Sequence, residues 1–505
     1  MSATTAPISA VVVAAVEVEA GQRLLSPTFE RWAEQAANCG HCARPIRLRG
    51  QATTFDRATG EVLSTYDSAT EPDGVLYARC GNRRASVCPS CSHEYKGDMW
   101  HLLAAGAAGG MKGVPESVAT HPLVFATLTA PSFGAVHGLR RRSGRPTMCR
   151  PRATSARCEH GQPLGCRTVH AEGDRLLGQP LCPQCYDYTG HVVWQWWAPE
   201  LWRRFTIALR RVLAASLGLT QKEAHTLVRV SFAKVAEFQR RGVVHFHALI
   251  RLDGPPTESE EFPAPLVDVT VQRLCELVHV AASRVWFDAP ATAPGEPLRR
   301  LRFGMQVDAR AVTADAIRET GRADDPDAGL HPETVAAYIA KYATKACDDF
   351  GLPPRLRDPE AARRMGIAEH VCRLLAEVHH LARTGGVKYL ALAKWVSMIG
   401  FRGHFSTKSR RYSTTLSRLR SARKRWTVER LRDRLTGPAP VDERGAIPPE
   451  PEVKVEDTTL VVSSWSLDGI GWLTAGDAAL AATAAAQARE WADERAKRRR
   501  ELLRG

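Results

Sequence analysis

Two histidines one residue apart, His245-Phe246-His247, lie inside the apolar run Val243–Ile250. On a strand successive side chains alternate between faces, so both imidazoles point one way while Phe246 and Ala248 point the other. Two imidazoles on one rigid strand supply two ligands of a facial metal site. A carboxylate or amide would complete it and leave positions open for substrate oxygens. Glu237 and Gln239 precede the pair. If the chain turns through a three-residue loop, 240–242, with Gly242 at positive φ, Glu237 falls opposite His245 on the same face. A two-residue turn would put it on the wrong face.

Farther along, Tyr338, Lys341, Tyr342 and Lys345 recur at i, i+3, i+4 and i+7. On a helix these four form one stripe, and Val335, Ile339, Ala343 and Ala346 form the apolar stripe opposite. Such a helix seats on a core by one face and offers two phenols and two ammoniums on the other. A phenolate can attack phosphorus while nearby cations stabilise charge on the phosphoryl oxygens. A metal on the histidines would polarise the same phosphate.

Ten of the 13 cysteines lie between Cys39 and Cys185. Cys-x-x-Cys lets two sulfurs grip one tetrahedral ion from a tight turn, so Cys39, Cys42, Cys88 and Cys91 read as a four-thiolate zinc site. Cys80 is left over and could replace one ligand. A second zinc site is read from Cys158, Cys166, Cys182 and Cys185, with Cys149, His160 and His170 as competing ligands. Four protein ligands leave no open position, so both sites would be structural. Cys275, Cys347 and Cys372 read as packing residues on helices.

The elements that must position these groups follow from periodicity. Leu123–Thr129 reads as a buried strand, Val228–Asp253 as two strands joined at 240–242, and Leu301–Ala309 as one more strand. Helices are expected over Trp194–Leu217, with Pro199 near an early turn, and over Val267–Phe287. His331-Pro332-Glu333-Thr334 opens another through Ala346, and further helices cover Pro359–Thr384, Ser413–Leu435 and Gly476–Leu503. Ala10–Val16 reads as a strand or a frayed tail, since no basic region precedes it as a secretory signal would require. No apolar run approaches ~18 residues, so no membrane span is expected and the protein reads as cytoplasmic.

The 505-residue chain carries a net charge of +15, which favours a polyanionic partner. Arg402, Lys408, Arg410, Arg411, Arg423, Lys424 and Arg425 crowd one region where Tyr412 and Trp426 could stack on bases. No Gly-x-x-x-x-Gly-Lys-[Ser/Thr] run is present, so an ATPase is not expected.

His245-Phe246-His247, followed about ninety residues later by "YIAKYATK", resembles the HUH endonuclease superfamily. Leu123–Thr129 with Ala130-Pro131 is similar to the strand motif that precedes them in rolling-circle initiators. "EFQRRGVVHFHALIRLDG", "VAAYIAKYATK" and "MIGFRGHFSTKSRRYS" are similar to the replication initiators of actinobacterial plasmids and integrative elements. That resemblance implies an α+β fold with an HUH-type antiparallel sheet and flanking helices; the cysteine spacing adds cysteine-rich zinc-binding regions, and the arginine-rich stretch a helical basic C-terminal part. It implies Tyr342 as principal nucleophile, Tyr338 as second, and His245 and His247 around Mg²⁺ or Mn²⁺, with Glu237 as the third ligand if the three-residue turn holds. It implies nicking of origin DNA, a covalent 5′-phosphotyrosine, a 3′-hydroxyl primer and rejoining, with a host helicase and replication proteins as partners. Two other readings compete: a single-strand transposase and a non-catalytic zinc-dependent DNA-binding regulator. The expected domains are a zinc-binding region over 1–115, a nicking domain over 116–350 with an insertion at about 140–191, a helical basic DNA-binding region over 351–440, a linker over 441–457, and a helical segment over 458–505.

Overall fold

Three segments are largely buried on both faces, one face mainly apolar and the other carrying Glu237, His245, His247 and Arg251, so they lie between two layers rather than with one wet side. They are β1 (Leu123–Leu128), β2 (Arg229–Phe238) and β3 (Val244–Asp253). With β4 (Val307–Ala311) and β5 (Ser406–Lys408) they form a five-stranded sheet of order β4-β1-β3-β2-β5, every neighbouring pair antiparallel. The structure, a computed structural model, describes residues 10–142, 144–316, 329–344, 351–353, 355–423 and 459–502.

The chain divides into two compact units, Lys96–Arg420 and Met1–Tyr95 with Ser421–Gly505. In the first, helix α1 (Tyr188–Ser216) covers the sheet face that carries Phe246: Trp202 packs on Phe232 and Phe246. Helices α2 (Val271–Arg284) and α4 (Glu369–Thr384) pack against α1. Helix α3 (Pro332–Ala343) lies on the opposite face, against β2. The fold is therefore α+β, with antiparallel sheets and flanking helices. No helix among the described residues is long and apolar enough to cross a membrane.

In the other unit, the strand Ile46–Asp56 pairs antiparallel with Thr459–Ile470 along its whole length, from Ile46↔Ile470 to Asp56↔Thr459. The N-terminal and C-terminal regions, expected to be separate, thus share one sheet. Ala10–Val16 is not a strand; it belongs to the helix Ala10–Leu24, which packs against the helix Ala475–Leu502. Arg23 ties the two together, with Nε donating to Asp477 Oδ1 at 2.7 Å.

Three other expectations are corrected. Leu301–Ala309 is not one strand: Arg299–Arg302 pairs with Trp286–Ala289, and β4 pairs with β1. The break falls at Gly304, where an added Cβ would meet Ala130 O at 2.6 Å, so the chain crosses where only glycine fits. Pro199 sits inside α1 rather than at its start, and Trp196 O nearby accepts from Arg402 Nε at 3.2 Å. The stretch 351–440 is not wholly helical, because Ser406–Lys408 supplies the edge strand β5. The expected linker 441–457, and the end of the helix expected through Leu435, lie outside the described residues.

Candidate active site

The hairpin β2–β3 brings the first group of site residues together. Gln239 N donates to Val243 O and Gly242 N to Gln239 O, both at 2.8 Å, closing a three-residue loop over 240–242. Gly242 has φ +80, the left-handed conformation such a loop requires. Glu237 therefore pairs with His245 in the register and shares its face. Buried groups hold the loop from behind. Gln195 donates to Gly242 O at 3.1 Å and accepts from Val244 N at 3.0 Å. His191 Nε2 lies 3.2 Å from Gly242 O, and His370 Nε2 3.0 Å from Arg241 O.

Glu237 Oε2 lies 2.8 Å from His245 Nε2 and 3.0 Å from His247 Nε2. One nitrogen of each imidazole thus converges on a single carboxylate oxygen, and the three ligand atoms could hold one metal ion. Burial works to raise the Glu237 carboxyl, but donation from His245 and His247 outweighs it and holds the group at about 2. Burial and the neighbouring His245 push His247 down to about 4, so its imidazole is neutral at physiological pH, as a metal ligand must be. The remaining nitrogen of each ring is also engaged. His247 Nδ1 is 3.1 Å from Thr127 Oγ1, and His245 Nδ1 is 3.5 Å from Gln239 Nε2. Such partners fix ring orientation around a metal.

The second group arrives on α3. His331 caps its N-terminus, with Nδ1 accepting from Glu333 N at 3.2 Å, and Pro332 occupies the first turn. Val335, Ala336, Ile339, Ala340 and Ala343 are buried, which turns Tyr338 and Tyr342 onto the histidine face. Tyr342 stacks on His247 with centroids 5.5 Å apart, and Tyr338 meets the same ring edge-on at 5.6 Å. Phe125 completes the aromatic wall, 5.6 Å from His247 and 5.9 Å from Tyr338. Lys341 is exposed, with its ammonium 5.6 Å from the Tyr342 ring centroid. Lys345 lies outside the described residues.

The first cysteine group differs from expectation by one ligand. Cys42, Cys80, Cys88 and Cys91 place their sulfurs within 4.8 Å of one another. Cys39 is not among them; its thiol donates to Ala36 O at 3.3 Å. The Cys42–Cys88, Cys80–Cys91 and Cys42–Cys91 sulfur separations are each 3.7 Å. Tetrahedral zinc with bonds of about 2.3 Å sets sulfur edges of about 3.8 Å, so the group fits that ion. Donation from Cys42 and then Cys91 holds Cys88 far below the usual thiol range, so the cluster already favours a thiolate there.

The second group is also rearranged. Cys158, His160, Cys182 and Cys185 gather in one place. Cys166 is elsewhere, with His137, Cys149 and His170. Reading by spacing alone missed His137, although Cys166-x-x-x-His170 was a signal for the separate group. It also missed Phe125 and Thr127, which alternate along β1 in phase with the histidine face.

The basic residues differ in their surroundings. Arg410 and Arg411 are exposed, near Arg210 and Arg229 in one groove. Arg402 stacks over Trp196 and Trp197 at 4.3 and 5.0 Å. Lys408 turns inward, its ammonium donating to the carbonyls of Ser409, Arg410 and Ser413 at 3.0–3.3 Å, so it is not a free phosphate contact. Arg423 pairs with Glu94 at 2.5 Å. Tyr412 is fully buried, and its hydroxyl donates to Leu103 O at 3.2 Å, so it does not stack on bases. Lys424, Arg425 and Trp426 lie outside the described residues.

A family model described as "Replication initiator protein, pSAM2" matches residues 28–486. A replication initiator protein of Streptomyces ambofaciens is 41% identical over 464 residues, which cover 91% of this chain and 90% of that protein. No solved structure matches the chain.

Proposed function

The chain belongs to the pSAM2 replication initiator family, and from that premise we propose that it is an HUH-type nickase that opens rolling-circle replication by cutting one strand of origin DNA through Tyr342. The observation that carries this reading is Tyr342 lying on His247, inside the face formed by Glu237, His245 and His247.

The Tyr342 hydroxyl attacks the scissile phosphorus as the bond from phosphorus to the 3′ oxygen breaks. The phenol gives up a proton and the departing 3′ oxygen takes one, so one phosphodiester replaces another and no ATP is consumed. The product is a 5′-phosphotyrosine and a 3′-hydroxyl that can prime synthesis. A divalent ion, Mg²⁺ or Mn²⁺, held by Glu237, His245 and His247 would supply positive charge to the non-bridging phosphate oxygens. Thr127 and Gln239 keep the imidazoles oriented, and the clamp of His191, Gln195 and His370 keeps the hairpin in register. Lys341 adds charge beside the nucleophile, and Lys345 is proposed to add to it from the sequence spacing. Tyr338 serves as the second nucleophile, cutting the regenerated origin when the round ends. The 3′-hydroxyl freed by that cut attacks the Tyr342 phosphotyrosine, gives up its proton and displaces the phenol, which takes one, so the strand is rejoined. Arg402, Arg410 and Arg411 hold duplex or displaced strand, a host helicase unwinds it, and the work is cytoplasmic.

The test is conversion of supercoiled origin plasmid to open circle. The cut 5′ end should carry the protein through denaturation and be released by protease. Tight origin binding with no cutting would instead make the chain a regulator.

A further inference from the structure

We propose that His137, Cys149, Cys166 and His170 hold a structural zinc ion of their own, which fixes the paired arginine strands Arg140–Arg142 and Arg145–Thr147 as a contact for the DNA backbone. The four ligand atoms lie within 4.8 Å of one another. His137 Nδ1 is 3.2 Å from His170 Nε2, and Cys166 Sγ is 3.6 Å from the same nitrogen. Zinc bonds of about 2.0–2.1 Å to nitrogen and about 2.3 Å to sulfur set tetrahedral edges of about 3.4 Å for N···N and about 3.6 Å for S···N. Both of those separations already match that spacing. The other nitrogen of His170 is 2.5 Å from Asp174 Oδ2, and Asp174 Oδ1 accepts from Leu176 N at 2.8 Å. A carboxylate behind a ligating imidazole is what orients it toward a metal.

The backbone delivers these ligands from strands pinned to each other. Arg150 and Cys166 exchange both hydrogen bonds at 2.8 Å, Cys149 N donates to Thr168 O, and His137 pairs with Gln179 and Gly178. The segment exposes Leu139, Met148, Val169 and Leu176. It therefore spends few apolar side chains on a core, and a metal is the usual substitute in so small a structure.

His137 and Cys149 flank the hairpin in which Arg140–Arg142 pairs with Arg145–Thr147. One ion bound by both closes its base. Arg140, Arg141, Arg142 and Arg145 are all exposed, and Arg141 also pairs with Glu172 at 3.1 Å. Guanidiniums on a stiff two-stranded ribbon suit phosphates and fit a DNA groove. This DNA-contacting role rests on the origin-binding reading; the metal site does not.

The full-length protein, dialysed against magnesium, should hold three zinc ions per chain by native mass spectrometry, and His137→Ala and Cys166→Ser should each hold two. Should either variant fold poorly, cobalt substitution of the wild type should report a two-thiolate, two-imidazole centre beside the sulfur-richer ones. Two zinc ions in the wild type, or three kept by both variants, would overturn the site. Replacing Arg140, Arg141 and Arg142 with Ala should keep three zinc ions while weakening duplex binding about tenfold at low salt, with a salt slope lower by about 0.9 per lost phosphate contact. Unchanged affinity and slope would overturn the DNA contact. A wild type that holds three zinc ions yet never cuts a single-stranded origin would sink the nickase reading alone.

Discussion

The Tyr342 ring lies nearly parallel to that of His247, 28° between planes, whereas Tyr338 stands at 80° to the same imidazole. Two phenols one helical turn apart thus share a histidine while presenting different orientations to it. The half-buried stack restricts Tyr342, which in the proposed mechanism lowers the entropy cost of attack.

Tyr342→Phe removes the oxygen proposed as nucleophile and preserves the ring contact. It should abolish the covalent adduct on a single-stranded origin oligonucleotide. Tyr338→Phe should still form the adduct, with a defect in strand transfer. Peptide mapping of the wild-type adduct decides between them: DNA on Tyr338 would reverse the assignment.

Cutting should require a divalent ion and stop in EDTA. Glu237→Gln and His247→Ala should stay inactive at any attainable metal level, because each removes a proposed ligand. Thr127→Val touches only the far nitrogen of His247. It should weaken apparent metal affinity about 10–100-fold and recover cutting at high metal. A loss that metal cannot rescue would assign Thr127 a different part.

Cys80→Ser should release one zinc equivalent, and Cys39→Ser should not. Losing the first ion should lower the melting temperature by roughly 10 °C, about 3 kcal/mol for a unit of this size. Elemental analysis beside calorimetry checks both. Equal zinc loss in the two variants would restore Cys39 as a ligand.

Burial, with the charges of Arg241 and Arg373, pushes His370 from its ordinary 6.5 to about 4 against the opposing bond to Arg241 O. Between those values the unfolded chain binds a proton that the folded chain refuses. Stability is therefore complete above pH 6.5 and is lost as pH falls toward 4. The residue should account for about 2 kcal/mol lost between pH 7 and 5. His370→Gln, whose amide can still donate to Arg241 O, should flatten the urea midpoint over that range. An unchanged slope would show that His370 is not a source of the acid sensitivity.

Much of the candidate site was legible because it is local. Alternation along one strand puts His245 and His247 on one face, and Gly242 in a three-residue loop puts Glu237 opposite. The stripe at i, i+3 and i+4 puts Tyr338, Lys341 and Tyr342 on one side of a helix. These relations span at most ten residues and follow from backbone geometry alone. The family likeness is equally a property of the string.

Tertiary structure decided whatever depends on segments distant in the chain. Spacing pairs Cys39 with Cys42, yet the fourth sulfur near Cys42 comes from Cys80, because the chain returns there. Cys166 parts from Cys158 for the same reason, joining His137 across strands that spacing cannot see. Ile46–Asp56 finds its partner more than 400 residues later. Lys408 and Tyr412 looked like DNA contacts by type alone, but the fold turns them onto internal carbonyls. A residue's type sets what chemistry it can do. What it does is set by which neighbours packing delivers, and a buried donor must be satisfied wherever it lies.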